Sequence, residues 1–218
     1  DQGVSFPLKG MLKDRAGAPI PGGQLVLEVT PGSGAGPVST DSTGGFEWRR
    51  VFDKVGNYSI RVHFDAKGVY ASAQALAELT VLLPTQLSLQ GPAQGMASEA
   101  IPFQGRLVDK AISPIPGAQL QVSTDNETST ITTDAQGAFS FSRTFVPPGS
   151  HVVSVRLIPS GFQKSSAAER SIFILMPTQL TLEAFKESQV QQPVTVQGLV
   201  KDGAGAPIPN AEVLFSIE

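Results

Sequence analysis

Apolar and polar residues alternate along most of this chain. Leu25, Leu27 and Val29 stand two apart, as do Tyr58, Ile60, Val62 and Phe64, then Leu120, Val122 and Thr124, then His151, Val153, Val155 and Leu157. Phe46, Trp48 and Phe52 form an aromatic run with even spacing that returns as Phe139, Phe141 and Phe145. A period of two buries one face of a strand and wets the other, which predicts antiparallel sheet and no long helices. Over 85–177 the alternation predicts seven strands, near 85–90, 101–108, 118–124, 129–133, 138–145, 150–158 and 167–175, separated by Gly, Pro and Asp turns. That many short strands in so short a stretch is the pattern of an immunoglobulin-like antiparallel β-sandwich.

The pattern is written more than once. PIPGGQL at 19–25, PIPGAQL at 114–120 and PIPNAEV at 207–213 stand 95 and then 93 residues apart. Each follows a strand-like run that ends in Asp: GMLKD from Gly10, GRLVD from Gly105 and GLVKD from Gly198. TDSTGGF (40–46) returns as TDAQGAF (133–139), GNYSIRV (56–62) as GSHVVSV (149–155) and LLPTQLSL (82–89) as LMPTQLTL (175–182), all 93 apart. A fixed period means repeated structural units.

The expected domains are 1–84, a sandwich lacking its first strand, 85–177, a complete sandwich, and 178–218, the N-terminal part of a third. Two prolines flank Ile20, Ile115 and Ile208 and stop one strand, and the Gly or Asn that follows accepts left-handed turn geometry. The isoleucine is expected to plug the end of the core. A cut sandwich bares an apolar face and open edges. The ends are therefore expected to mark a segment of a longer array or a chain whose incomplete sandwiches are finished by neighbours. In the next repeat, Val213, Phe215 and Ile217 are expected to repeat the strand of Leu120, Val122 and Thr124.

The run G-x-L-x-D, then G-x-P-[IV]-x-G/N-A, T-D-x-x-G-x-F and G-x-Y-x-[IV]-x-[VF], resembles the bacterial immunoglobulin-like tandem repeats of surface proteins, invasin-type and related groups. The resemblance covers the whole chain, and its motifs are signatures of turns and core. It implies tandem sandwiches in an extracellular or cell-surface setting and brings no catalytic residues.

Charged residues make up only 16% of the chain, below the usual quarter, and the net charge is −3. With a pI near 5.4 there is no basic stripe to neutralise phosphates, so nucleic acid is not an expected partner. The absence of cysteine removes disulfides, thiolate catalysis and Cys-based zinc sites. No apolar run approaches the roughly 18 residues of a membrane span. The opening DQGVSFPLKG has neither a charged nor an apolar leader region, so a signal peptide is expected to be removed already or to lie outside this stretch.

Candidate chemistry is sparse. His151 stands where the first repeat has Tyr58, and His63 where the second has Arg156; both read as half-buried strand residues. No G-x-S-x-G elbow is present. Asp14, Asp109 and Asp202 precede the PIPG loop, and Asp41 and Asp134 sit in the T-D-x-x-G turn. Calcium wants clustered oxygen ligands, whereas Asp also caps tight turns, and turn capping is the expectation here. Arg50 and Arg143 share a repeat position inside an aromatic strand, with the head expected to reach water or a repeated Asp. Trp48, answered by Phe141, reads as core rather than a glycan platform. Asn57, Asn126 and Asn210 are not placed for Lys–Asn crosslinks. No catalytic, cofactor-binding or metal residue is assigned, and no enzyme activity is expected.

What repeats is architecture. The expected function is a non-enzymatic stalk or spacer in an extracellular or cell-surface protein, its partners being neighbouring immunoglobulin-like domains of the same or adjacent chains. Two alternatives stand beside it. The end loops, VTPGSGAGPVST (29–40) and STDNETST (123–130), could recognise a surface protein or glycan, since variable loops on a constant frame are where binding sites usually sit. Or the chain could be a filament subunit assembled by strand addition between subunits.

Overall fold

The computed structural model describes residues 1–32, 36–125, 127–183, 187 and 189–216. Among them the regular structure is all β. In chain order the strands are β1 (Ser5–Met11), β2 (Gln24–Thr30), β3 (Pro37–Ser39), β4 (Gly45–Val51), β5 (Gly56–Phe64), β6 (Ala73–Val81), β7 (Thr85–Gln90) and β8 (Gln94–Met96). They continue as β9 (Ile101–Asp109), β10 (Gln119–Thr124), β11 (Glu127–Thr132), β12 (Ala138–Arg143), β13 (Gly149–Leu157), β14 (Ala167–Leu175), β15 (Thr178–Glu183) and β16 (Gln197–Asp202).

In the first sandwich a two-stranded sheet, β1–β4, faces a four-stranded one ordered β3–β2–β5–β6. The alternation explains the core directly: Leu25, Leu27 and Val29 of β2 and Ile60, Val62 and Phe64 of β5 are buried, with Phe6, Leu8, Phe46 and Trp48 of the opposite sheet packed against them. The second sandwich sets β12–β9–β7 against β11–β10–β13–β14–β8. Phe103, Leu107, Leu120, Val122, Val153, Val155, Leu157, Ile172 and Ile174 fill it, none more than 2% exposed. Side chains buried to this degree each contribute roughly 1.5–3 kcal/mol.

The strand boundaries agree with the alternation to within a few residues, with one addition. β8 is an eighth strand in the second sandwich, and it pairs in parallel with β14. Three residues, Gln-Gly-Met, are too few to show a period.

The PIPG loop has the expected form. Gly22, Gly117 and Asn210 all take left-handed geometry, with φ of 65°, 66° and 57°. Ile20 and Ile115 are buried, and Ile208 is half-buried. In the third repeat, β15 pairs with β16 as β7 pairs with β9, Thr178 opposite Asp202 as Thr85 is opposite Asp109. The strand expected at Val213 and Phe215 is not formed: 211–216 join no ladder, and Phe215 is 71% exposed. Its counterpart β10 is held between β11 and β13, and no strand among the described residues offers 211–216 such neighbours. Ile217 lies outside the described residues.

Candidate functional site

The repeated aspartates hold turns. The Oδ1 of Asp14 accepts the amides of Ala16 and Ala18, that of Asp109 the amides of Ala111 and Ser113, and that of Asp202 the amides of Ala204 and Ala206, all at 2.8–2.9 Å. Asp134 does the same for Gln136 and Ala138. Asp41 serves Thr43 and Gly45, and the bond from the Thr43 hydroxyl, ahead of those from the two amides, holds its pKa below the usual carboxylate value. One carboxylate oxygen thus serves residues i+2 and i+4 five times over. The threonine before each T-D turn is buried and locks that turn to the PIPG loop. Thr40 Oγ1 donates to Ile20 O (2.6 Å) and accepts from Gly23 N (2.8 Å); Thr133 repeats this with Ile115 O and Ala118 N.

His151 departs from expectation. It is buried rather than half-buried, and both ring nitrogens face acceptors at 2.7 Å: Nδ1 the Asp125 carboxylate, Nε2 the Pro147 carbonyl. Only the doubly protonated ring donates from both nitrogens. The bond to Asp125 raises its pKa above the ordinary histidine value, burial opposes this, and the Pro147 carbonyl adds to the rise.

The residue types hid a shared role. Tyr58 donates to Lys54 O at 2.8 Å, as His151 does to Pro147 O, also four residues back. Each ring tilts at 54° against a phenylalanine, Phe52 at 4.6 Å and Phe145 at 5.1 Å. His151 is therefore the second repeat's version of Tyr58, with Asp125 added. Asp125 lies 26 residues away on the β10–β11 turn, beyond the reach of any local pattern.

The other candidates make contacts within the sandwiches. Arg143 does not pair with a repeated aspartate: its guanidinium lies 5.4 Å from the Phe141 ring centroid, and its terminal nitrogens bond Ser129 Oγ and Ser142 O. Arg50 likewise lies over Phe52, at 5.6 Å. Trp48 packs on the first core, and His63 is half-buried on β5. Asn57 accepts from the Thr80 hydroxyl, and Asn210 forms its turn; Asn126 and residues 33–35 of the 29–40 loop lie outside the described residues. Among the described residues no three His, Asp or Glu side chains gather as a metal site, and no helix is long and apolar enough to cross a membrane.

What the fold does bring together is the joint between the sandwiches. β6 ends at Val81, β7 starts at Thr85, and Leu82, Leu83 and Pro84 connect them. Gln2 N–H donates to Leu82 O at 2.9 Å. Leu83 N–H donates to Phe162 O at 2.7 Å, and Leu83 O accepts from Lys164 N–H at 2.9 Å, so the connector runs as a parallel bridge beside the loop between β13 and β14. Pro84 has no amide and a fixed φ. Thr85 Oγ1 donates to Lys164 O at 2.7 Å, and the Lys164 ammonium reaches back to Asp1 Oδ2 at 2.6 Å. Leu83 packs against the second core. In the next joint, Pro177 abuts Gly203 of the third repeat's Asp turn.

The family model described as carboxypeptidase regulatory-like domain matches residues 103–190. No curated protein matches the chain in sequence. Among solved structures, invasin, described as a bacterial integrin-binding protein, is 15% identical over 96% of this chain and 45% of that one, with a TM-score of 0.39. The D0-D1 domain of intimin is 16% identical over 79% and 92%, with a TM-score of 0.34. Red sea bream transglutaminase is 14% identical over 79% and 29%, with a TM-score of 0.45. The chain spans under half of the invasin structure and under a third of the transglutaminase.

Proposed function

We propose that this chain is a spacer: tandem immunoglobulin-like sandwiches that hold another part of an extracellular or cell-surface bacterial protein at a set distance, without chemistry of their own. The joint carries this reading. Gly/Ser linkers leave domains free to swing, whereas here the connector is three residues long, one of them proline, and Leu83 is bonded through both its amide and its carbonyl to the following sandwich. The longest strands of each sandwich, nine residues at about 3.3 Å per residue, give it a length of roughly 30 Å before its loops are counted.

The spacer reading is tested against adhesion by presenting the chain to arrays of glycans and of extracellular-matrix and host-surface proteins. No saturable binding is expected. Saturable binding that disappears when the 29–40 loop is replaced by a short turn would move the function from the frame to the loops.

A further inference from the structure

β11 is an edge strand of the second sandwich, first in the order β11–β10–β13–β14–β8. The parity of its hydrogen bonds shows which backbone groups it leaves open. Thr133 N–H donates to Ala118 O at 3.0 Å, and Thr124 pairs with Glu127 across a two-residue turn. Both place the amides and carbonyls of Glu127, Ser129 and Ile131 toward β10. Thr128, Thr130 and Thr132 therefore turn theirs outward in one row, and among the described residues nothing bonds to those backbone groups. Such a row is a template for another strand.

The edges that resemble it are stopped short. β3, which holds the same place in the first sandwich, is three residues long; Thr40 N–H donates to Gly23 O, so its outward residues are Ser39 and Pro37, and the proline has no amide. At β12, on the same side of the second sandwich, local groups already use the outward row. The Asp134 carboxylate accepts the Ala138 amide, the Asp134 amide donates to the Ala138 carbonyl, and Arg143 donates to the Ser142 carbonyl. β11 has six residues and no proline, lysine or arginine to block pairing.

We infer that β11 is a site of self-association: two copies of the chain pair β11 to β11, antiparallel, about a two-fold axis through Thr130, and join two five-stranded sheets into one continuous sheet. The strand is its own complement. With Thr130 opposite Thr130, Thr128 falls opposite Thr132, and every outward amide meets an outward carbonyl; any other register leaves some of them unmatched. The threonines are neutral and β-branched, which suits cross-strand contact. Glu127, the one charged residue of β11, falls opposite Thr133 rather than its own kind, and the carboxylate of Asp134 beside it is held by the amides of Gln136 and Ala138. This goes beyond the spacer reading: spacers so joined stand as lateral pairs.

The test is mass by light scattering over a dilution series of the whole chain, with amide exchange read residue by residue by NMR. A strand pair without an apolar core of its own is weak, so a monomer is expected at about 10 μM and an approach to twice the 22.9 kDa mass at about 1 mM. As the dimer forms, exchange should slow at Thr128, Thr130 and Thr132, while Ser129 and Ile131, already bonded to β10, stay as they were. Thr130→Pro removes an amide that makes no ladder bond within the sandwich, and Thr130→Lys sets like charges opposite each other on the axis. Both should keep the protection of Ser129 and Ile131, which shows the fold intact, and both should hold the mass at the monomer's. A mass that stays monomeric throughout, a dimer that leaves the three threonine amides exchanging as before, or a dimer that survives both variants would overturn the pairing.

Discussion

Replacing Thr40 by valine keeps the shape of a buried side chain and removes one hydroxyl. That hydroxyl donates to Ile20 O at 2.6 Å and accepts from Gly23 N at 2.8 Å, and all three residues are buried. Valine leaves a buried carbonyl and a buried amide without this partner, each costing roughly 1–3 kcal/mol. The gain from one extra methyl offsets less than about 1 kcal/mol. The first sandwich should therefore lose about 2–4 kcal/mol, a large share of the 5–15 kcal/mol typical of a domain. Urea denaturation followed by Trp48 fluorescence isolates that sandwich. With a slope of roughly 1–1.5 kcal/mol per M for a unit of this size, the midpoint should fall by about 2 M. Thr40→Ser keeps the hydroxyl and should stay within about 1 kcal/mol of the parent, by the same reasoning. A Thr40→Val midpoint within about 0.3 M of the parent, well under the expected fall, would show that the two loops are not locked through this group.

Three further outcomes follow from the geometry. His151 has a folded pKa above its unfolded value of about 6.5, so the stability it adds is fully present below that value and fades as pH rises through the folded pKa; thermal melts from pH 5 to 9 should show this, and His151→Tyr, which copies Tyr58, should flatten the profile. Gly105→Ala puts a methyl against Ser88 O and the Phe139 ring, whereas Gly10→Ala meets only the movable Phe46 ring; calorimetry should find the first costing about 3 kcal/mol or more and the second distinctly less. Lys164→Ala removes an ion pair whose lysine is half-exposed, so the stability change should stay under about 1 kcal/mol; a larger loss in the same melts would mean that the pair, not the backbone bridge, holds the joint.

The strands, the PIPG loops and the sandwich cores were legible because they rest on local alternation and on residues, such as Gly22 and Asn210, whose backbone preferences are their own. What stayed hidden depends on partners far along the chain. β8 is defined by its pairing with β14, not by any pattern in Gln94–Met96. The kinship of Tyr58 and His151 lies in a shared carbonyl bond that two different side chains make. The strand expected at Val213 and Phe215 shows the converse: alternation marks which face would be buried, but a ladder forms only where a neighbouring strand supplies the hydrogen bonds. The joint was visible as a short, apolar, proline-bearing segment, yet its attachment to Phe162 and Lys164 required the folded second sandwich.

The most direct test of the spacer account is the distance between the two sandwiches in solution. The chain has no cysteine, so Glu28→Cys on β2 and Glu169→Cys on β14, both exposed, accept spin labels cleanly. Pulsed electron–electron resonance should give one narrow distance distribution, which broadens when Leu83 and Pro84 are both replaced by glycine. A distribution already broad in the parent, and unchanged by the glycines, would contradict the claim that the joint fixes the reach of the array.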